Sequence, residues 1–353
     1  MPAHGHARRV SRFGRHPWRL GIAALAALAA LAVLVVVAAV AWVEVEAAPG
    51  GQRGAQVIVD VQPGTGTSGL ADALAHDRVI GSALAFRLWS AFHDVPLILP
   101  GHYAFDRGEG FGAIAAVVGD GPNVFSLVVP PGFTVSEVAH RLGELPGHDG
   151  RHFLALATGG TVRSPWQPAG STNLDGLLGT GTYRIVPGLT DTELLGQMIG
   201  RFDAEASRVG LAAGAARLGL TPYQAITAAS IVQKEGVIQK NLGPVARVVL
   251  NRLAKGMPLQ MDSTVLYALG QDGGTVTKAD LALPSPYNSY LHTGLTPTPI
   301  CFPSPAALSA MLSPPPGDWL YFVVVRADGT EAFASTFSQQ LANEALAQKR
   351  GLP

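Results

Sequence analysis

The sequence predicts an α+β protein built as one N-terminal transmembrane helix, a small α+β module and a larger α+β domain. Three observations carry that prediction. An uncharged apolar run lies near the start of the chain, strand-like and helix-like periodicities alternate through the next hundred residues, and the last two hundred interleave helical stretches with polar, Pro- and Gly-rich loops. With 353 residues, 48% of them hydrophobic and 14% charged, there is ample material for packed cores. Lys plus Arg equals Asp plus Glu at 25 each, and no basic helix carries interleaved aromatics, so nucleic acid is not an expected partner.

"LGIAALAALAALAVLVVVAAVAWV", residues 20–43, holds no charge over 24 positions. At about 1.5 Å per residue it is long enough for a hydrocarbon core of about 30 Å. A cleaved signal peptide is the alternative, and the Ala-Glu-Ala-like stretch at 45–48 leaves it open, but the usual apolar core of such a peptide is only about 7–15 residues. Arg8, Arg9, Arg12, Arg15 and Arg19 precede the run, whereas Glu44 and Glu46 follow it. The positive-inside rule then puts residues 1–19 in the cytoplasm and the rest of the chain outside, with Trp18 and Trp42 at the two interfaces. The expected location is the cell (inner) membrane, crossed once.

Residues 44–54, "EVEAAPGGQRG", read as a flexible linker. The small module is expected at 55–145. "AQVIVDVQPG" reads as strand and turn, 68–93 as helix with a break near Gly81, and "VPLILPGHYAF" as strand, turn and strand. A helix near 111–118, the strand "FSLVVPPG" and the helix of "TVSEVAHRLG", opened by a Thr134/Glu137 capping box, complete it. The larger domain is expected at 146–353, with 146–182 as a loop-rich entry. Its helix at 221 begins with Thr221 as N-cap, Pro222 at the first turn and Gln224 reaching back. Cys301 is the sole cysteine, which rules out an intramolecular disulfide and reads as a small core residue. No Walker loop, His-Glu-x-x-His or Cys-x-x-Cys motif occurs, and "GTGTSG" at 64–69 reads as a turn.

"ITAASIVQKEG", residues 226–236, sets one acid at the end of an apolar helix. At 100° per residue Glu235 shares a face with Ala228 and Ile231. A carboxyl drawn into apolar surroundings holds its proton toward neutral pH, as a general acid must. The competing reading is a helix-end Glu paired with Arg247 or Lys240. Downstream, "VARVVLNRLAKGMPLQMDSTVLYALG" (245–270) is an amphipathic helix, a turn at Gly256 and a polar cluster of Gln260, Asp262, Ser263 and Thr264. "SPYNSYLHTGLTPTPI" (285–300) is too irregular for a helix.

Three segments in this order, "ASIVQKEG", "VLNRLAKGMPLQMDSTVLYALG" and "SPYNSYLHTGLTPTPI", resemble the YceG-like endolytic murein transglycosylase family. The resemblance extends over roughly 55–345, and "VDVQPGTGTSGLADALAHDRVIGSALAFRLW" with "LPGHYAF" looks like the family's LysM-like module. "TNLDGLLGTGTY" is similar to its Asn-Leu-Glu-Gly-x-Leu-x-Pro-Asp-Thr-Tyr signature, departing at Asp175 and at 179–181. Further departures are Gln233, often a second Glu in the family, "CFPSP" at 301–305, and Glu331 where a His is typical.

The resemblance implies an enzyme that cuts nascent peptidoglycan glycan strands internally with one glutamate, here Glu235, and with no metal or organic cofactor. A protonated Glu235 would serve the MurNAc–GlcNAc oxygen, and the MurNAc C6 hydroxyl would close a 1,6-anhydro ring. Gln260, Asp262, Tyr287 and Asn288 are the expected sugar-binding or Glu235-orienting residues. Asp262 reads equally as an N-cap and Tyr287 equally as a core aromatic. Partners implied are glycan strands, the inner membrane through one helix, and neighbouring peptidoglycan synthases. The alternatives are a non-catalytic peptidoglycan-binding protein and a hydrolytic muramidase in which a second carboxylate such as Asp262 activates water.

Overall fold

The computed structural model describes residues 17–352 and divides after Val124 into two compact units. Arg8, Arg9, Arg12 and Arg15, which set the predicted orientation, lie outside the described residues.

The first unit contains α1 (Pro17–Ala47), β1 (Gln56–Val61), α2 (Thr67–His76), α3 (Ala83–Ser90), β2 (Gly101–Asp106) and α4 (Phe111–Asp120). Residues 21–47 of α1 are long and apolar enough to cross a membrane. The helix continues four residues past the expected end at Val43, because Glu44 to Ala47 are compatible with helix and no breaker intervenes before Pro49. Only the remainder of the expected linker is irregular. β1 and β2 pair antiparallel, Gln56 opposite Asp106 and Val61 opposite Gly101, over a core that includes Val59, Leu70, Leu74, Phe86, Tyr103, Phe111 and Ile114. The first strand expected within "VPLILPGHYAF" is not formed. Pro96 and Pro100 bracket it, and proline neither donates to a ladder nor tolerates its neighbours freely, so 91–100 is irregular and leads directly into β2.

The second unit contains β3 (Phe125–Val129), α5 (Val135–Gly143), α6 (Gly150–Thr158), β4 (Gly181–Ile185), α7 (Asp191–Arg208), α8 (Leu211–Arg217), α9 (Pro222–Glu235), α10 (Leu242–Ala254), α11 (Asp262–Ala268), α12 (Pro305–Leu312), β5 (Tyr321–Val324), β6 (Glu331–Ala334) and α13 (Phe337–Lys349). Residues 125–145, expected at the end of the small module, therefore lie in this unit instead. The reason is pairing across a long insertion: β3 takes β4 as its antiparallel partner, Leu127 opposite Tyr183, and α5 packs on α6. Period-2 and period-3.6 patterns mark elements but carry no information on which distant strand will pair.

α9 is the axis of this unit. All eight residues from Ala225 to Val232 are buried, and α8, α10, α11 and α12 pack around the helix. Its start follows the sequence reading: Gln224 N donates to Thr221 Oγ1 at 3.2 Å, and Thr221 N donates to Gln224 Oε1 at 2.9 Å. Such a cap contributes about 1 kcal/mol. The expected Thr134/Glu137 capping box on α5 is also present.

α5 and α6 meet at Gly150, where a Cβ would stand 1.8 Å from the backbone oxygen of Ala139. Gly150→Ala should destabilise the chain by about 1–3 kcal/mol through overpacking, read as a lower midpoint in chemical denaturation; an unchanged midpoint would show that the contact yields freely.

Candidate active site

Glu235 is the last residue of α9, where the buried helix emerges into a cleft of about 860 Å³. Its Oε1 accepts from Ser263 Oγ at 2.5 Å and from Ser263 N at 3.3 Å. Burial pushes its pKa up from the ordinary value, as does the charge of Asp262, while the Ser263 donors and the Arg252 guanidinium pull it back; burial prevails. The carboxyl is thus held by one oxygen and keeps its proton to a higher pH than an ordinary glutamate. The competing ion-pair reading fails on geometry: Lys240 Nζ donates to Thr330 Oγ1 at 2.6 Å, and Arg247 Nε donates to Pro315 O at 2.7 Å.

The two loops that sequence reading singled out are sewn together. Gln260 N donates to Ser289 O at 3.0 Å, Met261 N donates to Ser289 Oγ at 2.9 Å, and Thr264 Oγ1 bonds Ser289 Oγ at 2.8 Å. Gln260 itself has φ of 50°, a left-handed backbone uncommon outside glycine, which these bonds hold in place. Its side chain is exposed and does not line the cleft.

Asp262 does line it. It is the first residue of α11, not the N-cap, which is Met261, and its Oδ1 accepts from Tyr290 Oη at 2.6 Å. Tyr287 lines the cleft as well; its hydroxyl bonds Thr298 Oγ1 at 2.8 Å and its ring lies 4.9 Å from that of Tyr267. Asn288 requires a correction. It is fully buried, its Nδ2 donates to Leu281 O and Leu283 O at 2.9 and 3.0 Å, and its Oδ1 accepts from Tyr290 N at 3.0 Å. A side chain so occupied shapes the loop that carries Tyr287 and Tyr290 and has no atom left for a sugar.

Several residues were not chosen from sequence. Ser263 stood in the polar cluster but was not assigned a role. Asp175, 5% exposed, accepts from Val135 N at 2.7 Å, Tyr267 Oη at 2.7 Å and Asn173 Nδ2 at 2.9 Å. It binds the start of α5 to α11 and so fixes the cleft wall. The neighbouring Gly176 has φ of +77°, and a Cβ there would lie 2.2 Å from Pro299 Cβ, which explains a glycine in "NLDG". Lys234 pairs with Asp272 at 2.5 Å, and both line the cleft. Gln233, where a second acid is often found, accepts from Ser304 N at 2.9 Å and anchors the start of α12. Cys301 is fully buried, as expected of a core residue.

Glu331, at the start of β6, is 7% exposed and its Oε2 has no hydrogen-bond partner. Burial lifts its pKa to about 7, helped by the charge of Glu235 and opposed by bonding to Val237 and Asn241. An acid that binds its proton more tightly when folded costs stability as pH rises from about 4.5 to about 7, after which the loss is complete. Glu331→Gln should therefore flatten the decline of unfolding free energy over that window in urea melts taken at several pH values; an unaltered slope would mean the residue ionises freely.

The YceG-like family profile matches residues 59–345. An endolytic murein transglycosylase of Bacillus subtilis is 26% identical over 299 residues, which span 80% of this chain and 82% of that protein. Another, from Streptococcus pneumoniae serotype 2, is 26% identical over 310 residues, 79% of this chain and 56% of that longer protein. The crystal structure of a YceG-like protein from Listeria monocytogenes superposes with a TM-score of 0.55 over 82% of this chain and 99% of that one, at 24% identity, a likeness of fold.

Proposed function

The chain belongs to the YceG-like family, and from that premise we propose that it is a membrane-anchored peptidoglycan transglycosylase, a lyase that cuts nascent glycan internally and leaves 1,6-anhydroMurNAc ends. The observation that carries the reading is Glu235, a proton-holding carboxyl fixed by Ser263 at the edge of a cleft large enough for sugar rings. The relatives named endolytic murein transglycosylases support the substrate class.

In the proposed reaction Glu235 donates its proton to the oxygen joining MurNAc to GlcNAc. As that bond breaks, the resulting carboxylate takes the proton of the MurNAc C6 hydroxyl, whose oxygen bonds to the anomeric carbon. The proton count closes with Glu235 protonated again, and no water is consumed. Intramolecular attack needs the ring held in one pose. Tyr287 and Asp262, which line the cleft, are proposed to do that, with the buried Asn288 supporting the loop that carries Tyr287. Gln260 holds the backbone turn before Asp262. The mechanism uses side chains alone.

α1 is proposed as the single membrane span, with the N-terminus cytoplasmic and the enzyme domain outside, close to where peptidoglycan synthases release new strands. The β1–α2–α3–β2 unit is proposed as the LysM-like module that retains glycan near the membrane. A hydrolytic muramidase acting through Asp262 is the second reading, since Asp262 shares the cleft and its charge reaches Glu235.

Uncrosslinked glycan digested by the full chain should yield anhydro-ended fragments by mass spectrometry, and Glu235→Gln should cut the rate by at least about 10²-fold. Reducing ends would select the muramidase. Removing a donor that favours the ionised form raises a pKa, so Ser263→Ala should move the alkaline limb of the pH–rate profile upward. An alkaline limb that stays put would detach Ser263 from the acid.

A further inference from the structure

The first unit exposes an apolar face with no role in the chemistry above. Leu84, Leu88 and Phe92 succeed one another at four-residue intervals along α3 and its following turn, and all are exposed, Phe92 by 87%. The irregular segment after them adds Leu97, 81% exposed, and Leu99. From 83 to 100 the only ionisable side chains are Arg87, His93 and Asp94. Arg87 is paired with Asp72, and the His93 ring stacks on Trp89 with centroids 4.2 Å apart. Five exposed large apolar side chains within sixteen residues are more than scattered surface apolar residues, and such exposure marks an interaction site.

Its position identifies the occupant. α3 packs against α1, whose last two turns dock on the unit's core through Val43 and Ala47, with Glu46 beside Gly81. The patch therefore begins where the apolar span of α1 ends. Continuity with a membrane-crossing helix places Leu and Phe side chains at the depth where an interfacial apolar surface meets headgroups and upper acyl chains. Trp42 on α1 and Trp89 on α3 are residues of the type that settles at that boundary. Pro96 and Pro100, by preventing a strand, keep Leu97 projecting instead of pairing the segment into the β1–β2 sheet.

We infer that the face formed by Leu84, Leu88, Phe92 and Leu97 lies in the outer leaflet of the bilayer, so that the first unit rests on the membrane rather than swinging on a tether. The inference rests on the proposed membrane anchoring of α1. It gives the small module a fixed height above the lipid, set by a second contact besides the helix.

The test uses the full chain in phosphatidylcholine–phosphatidylglycerol nanodiscs. Because Cys301 is buried, a cysteine introduced on the surface takes an NBD label alone. Three variants are labelled, Phe92→Cys, Leu97→Cys and Leu28→Cys, the last lying within the apolar run of α1. The expected result is blue-shifted emission at 92 and 97, strongly quenched by lipid carrying a doxyl group at acyl carbon 5, alongside quenching of the label at 28 by a doxyl group at carbon 12. Quenching at 28 with the labels at 92 and 97 open to iodide would overturn the inference and leave the anchor intact. Labels at 92 and 97 shielded from iodide but not quenched by lipid would mean that a second copy covers the face, which overturns it too. No lipid quenching at any of the three would refute the anchor and the inference with it.

Discussion

Everything in the larger unit is arranged around the burial of α9. Eight consecutive buried residues leave that helix no solvent-facing side between its first and last turns, so the one acid it carries, at its end, sits where core gives way to cleft. Glu235 is that acid. The surrounding helices fix its backbone, and Ser263 fixes one carboxyl oxygen at the edge of the cleft. Two opposing influences then set its protonation: loss of hydration favours the neutral acid, and donors that prefer the charged form limit how far that goes. A more polar helix would have placed the same residue in water, with ordinary acidity.

The loops at 258–264 and 285–293 act as one body. Ser289 joins them through its backbone oxygen and hydroxyl, and Asn288 organises the second loop from inside. Ser263, Asp262, Tyr287 and Tyr290 are consequently positioned together, so a change at a buried amide can be felt at the cleft. Asp175 performs the same office for another part of the cleft lining, where its carboxyl ties α5 to α11 through Val135 and Tyr267. The β5–β6 hairpin adds a third support: its turn accepts Asn241 at Gly329 O, close behind Glu235 in sequence, and brings the buried Glu331 within electrostatic reach.

What could be read from sequence was local. The apolar run of α1, the capping boxes at Thr134 and Thr221, and the acid on the face of Ala228 and Ile231 all follow from spacing a few residues long. Helix periodicity gave Glu235 a direction but not a partner; the alternative partners Arg247 and Lys240 were excluded only once their own bonds to Pro315 and Thr330 were visible. The pairing of β3 with β4 spans some fifty residues, and nothing in a strand's alternation names its mate, so the boundary of the small module was misplaced. Asn288 was misread for a related reason. A polar residue in an irregular loop has the same sequence signature whether its amide meets a ligand or two backbone carbonyls, and here it meets Leu281 and Leu283. Ser263 was visible as part of a polar cluster, but only its 28-residue contact to Glu235 reveals its use.

The account stands on Glu235 being a neutral acid because it is removed from water. The most direct test is a carbon-13 NMR titration of glutamate side-chain carboxyls in the full chain, with the Glu235 signal assigned by its loss in Glu235→Gln. The predicted result is a midpoint above the ordinary glutamate value of about 4.3. A midpoint at or below that value would contradict the account, because a carboxyl already ionised at neutral pH has no proton to give a glycosidic oxygen.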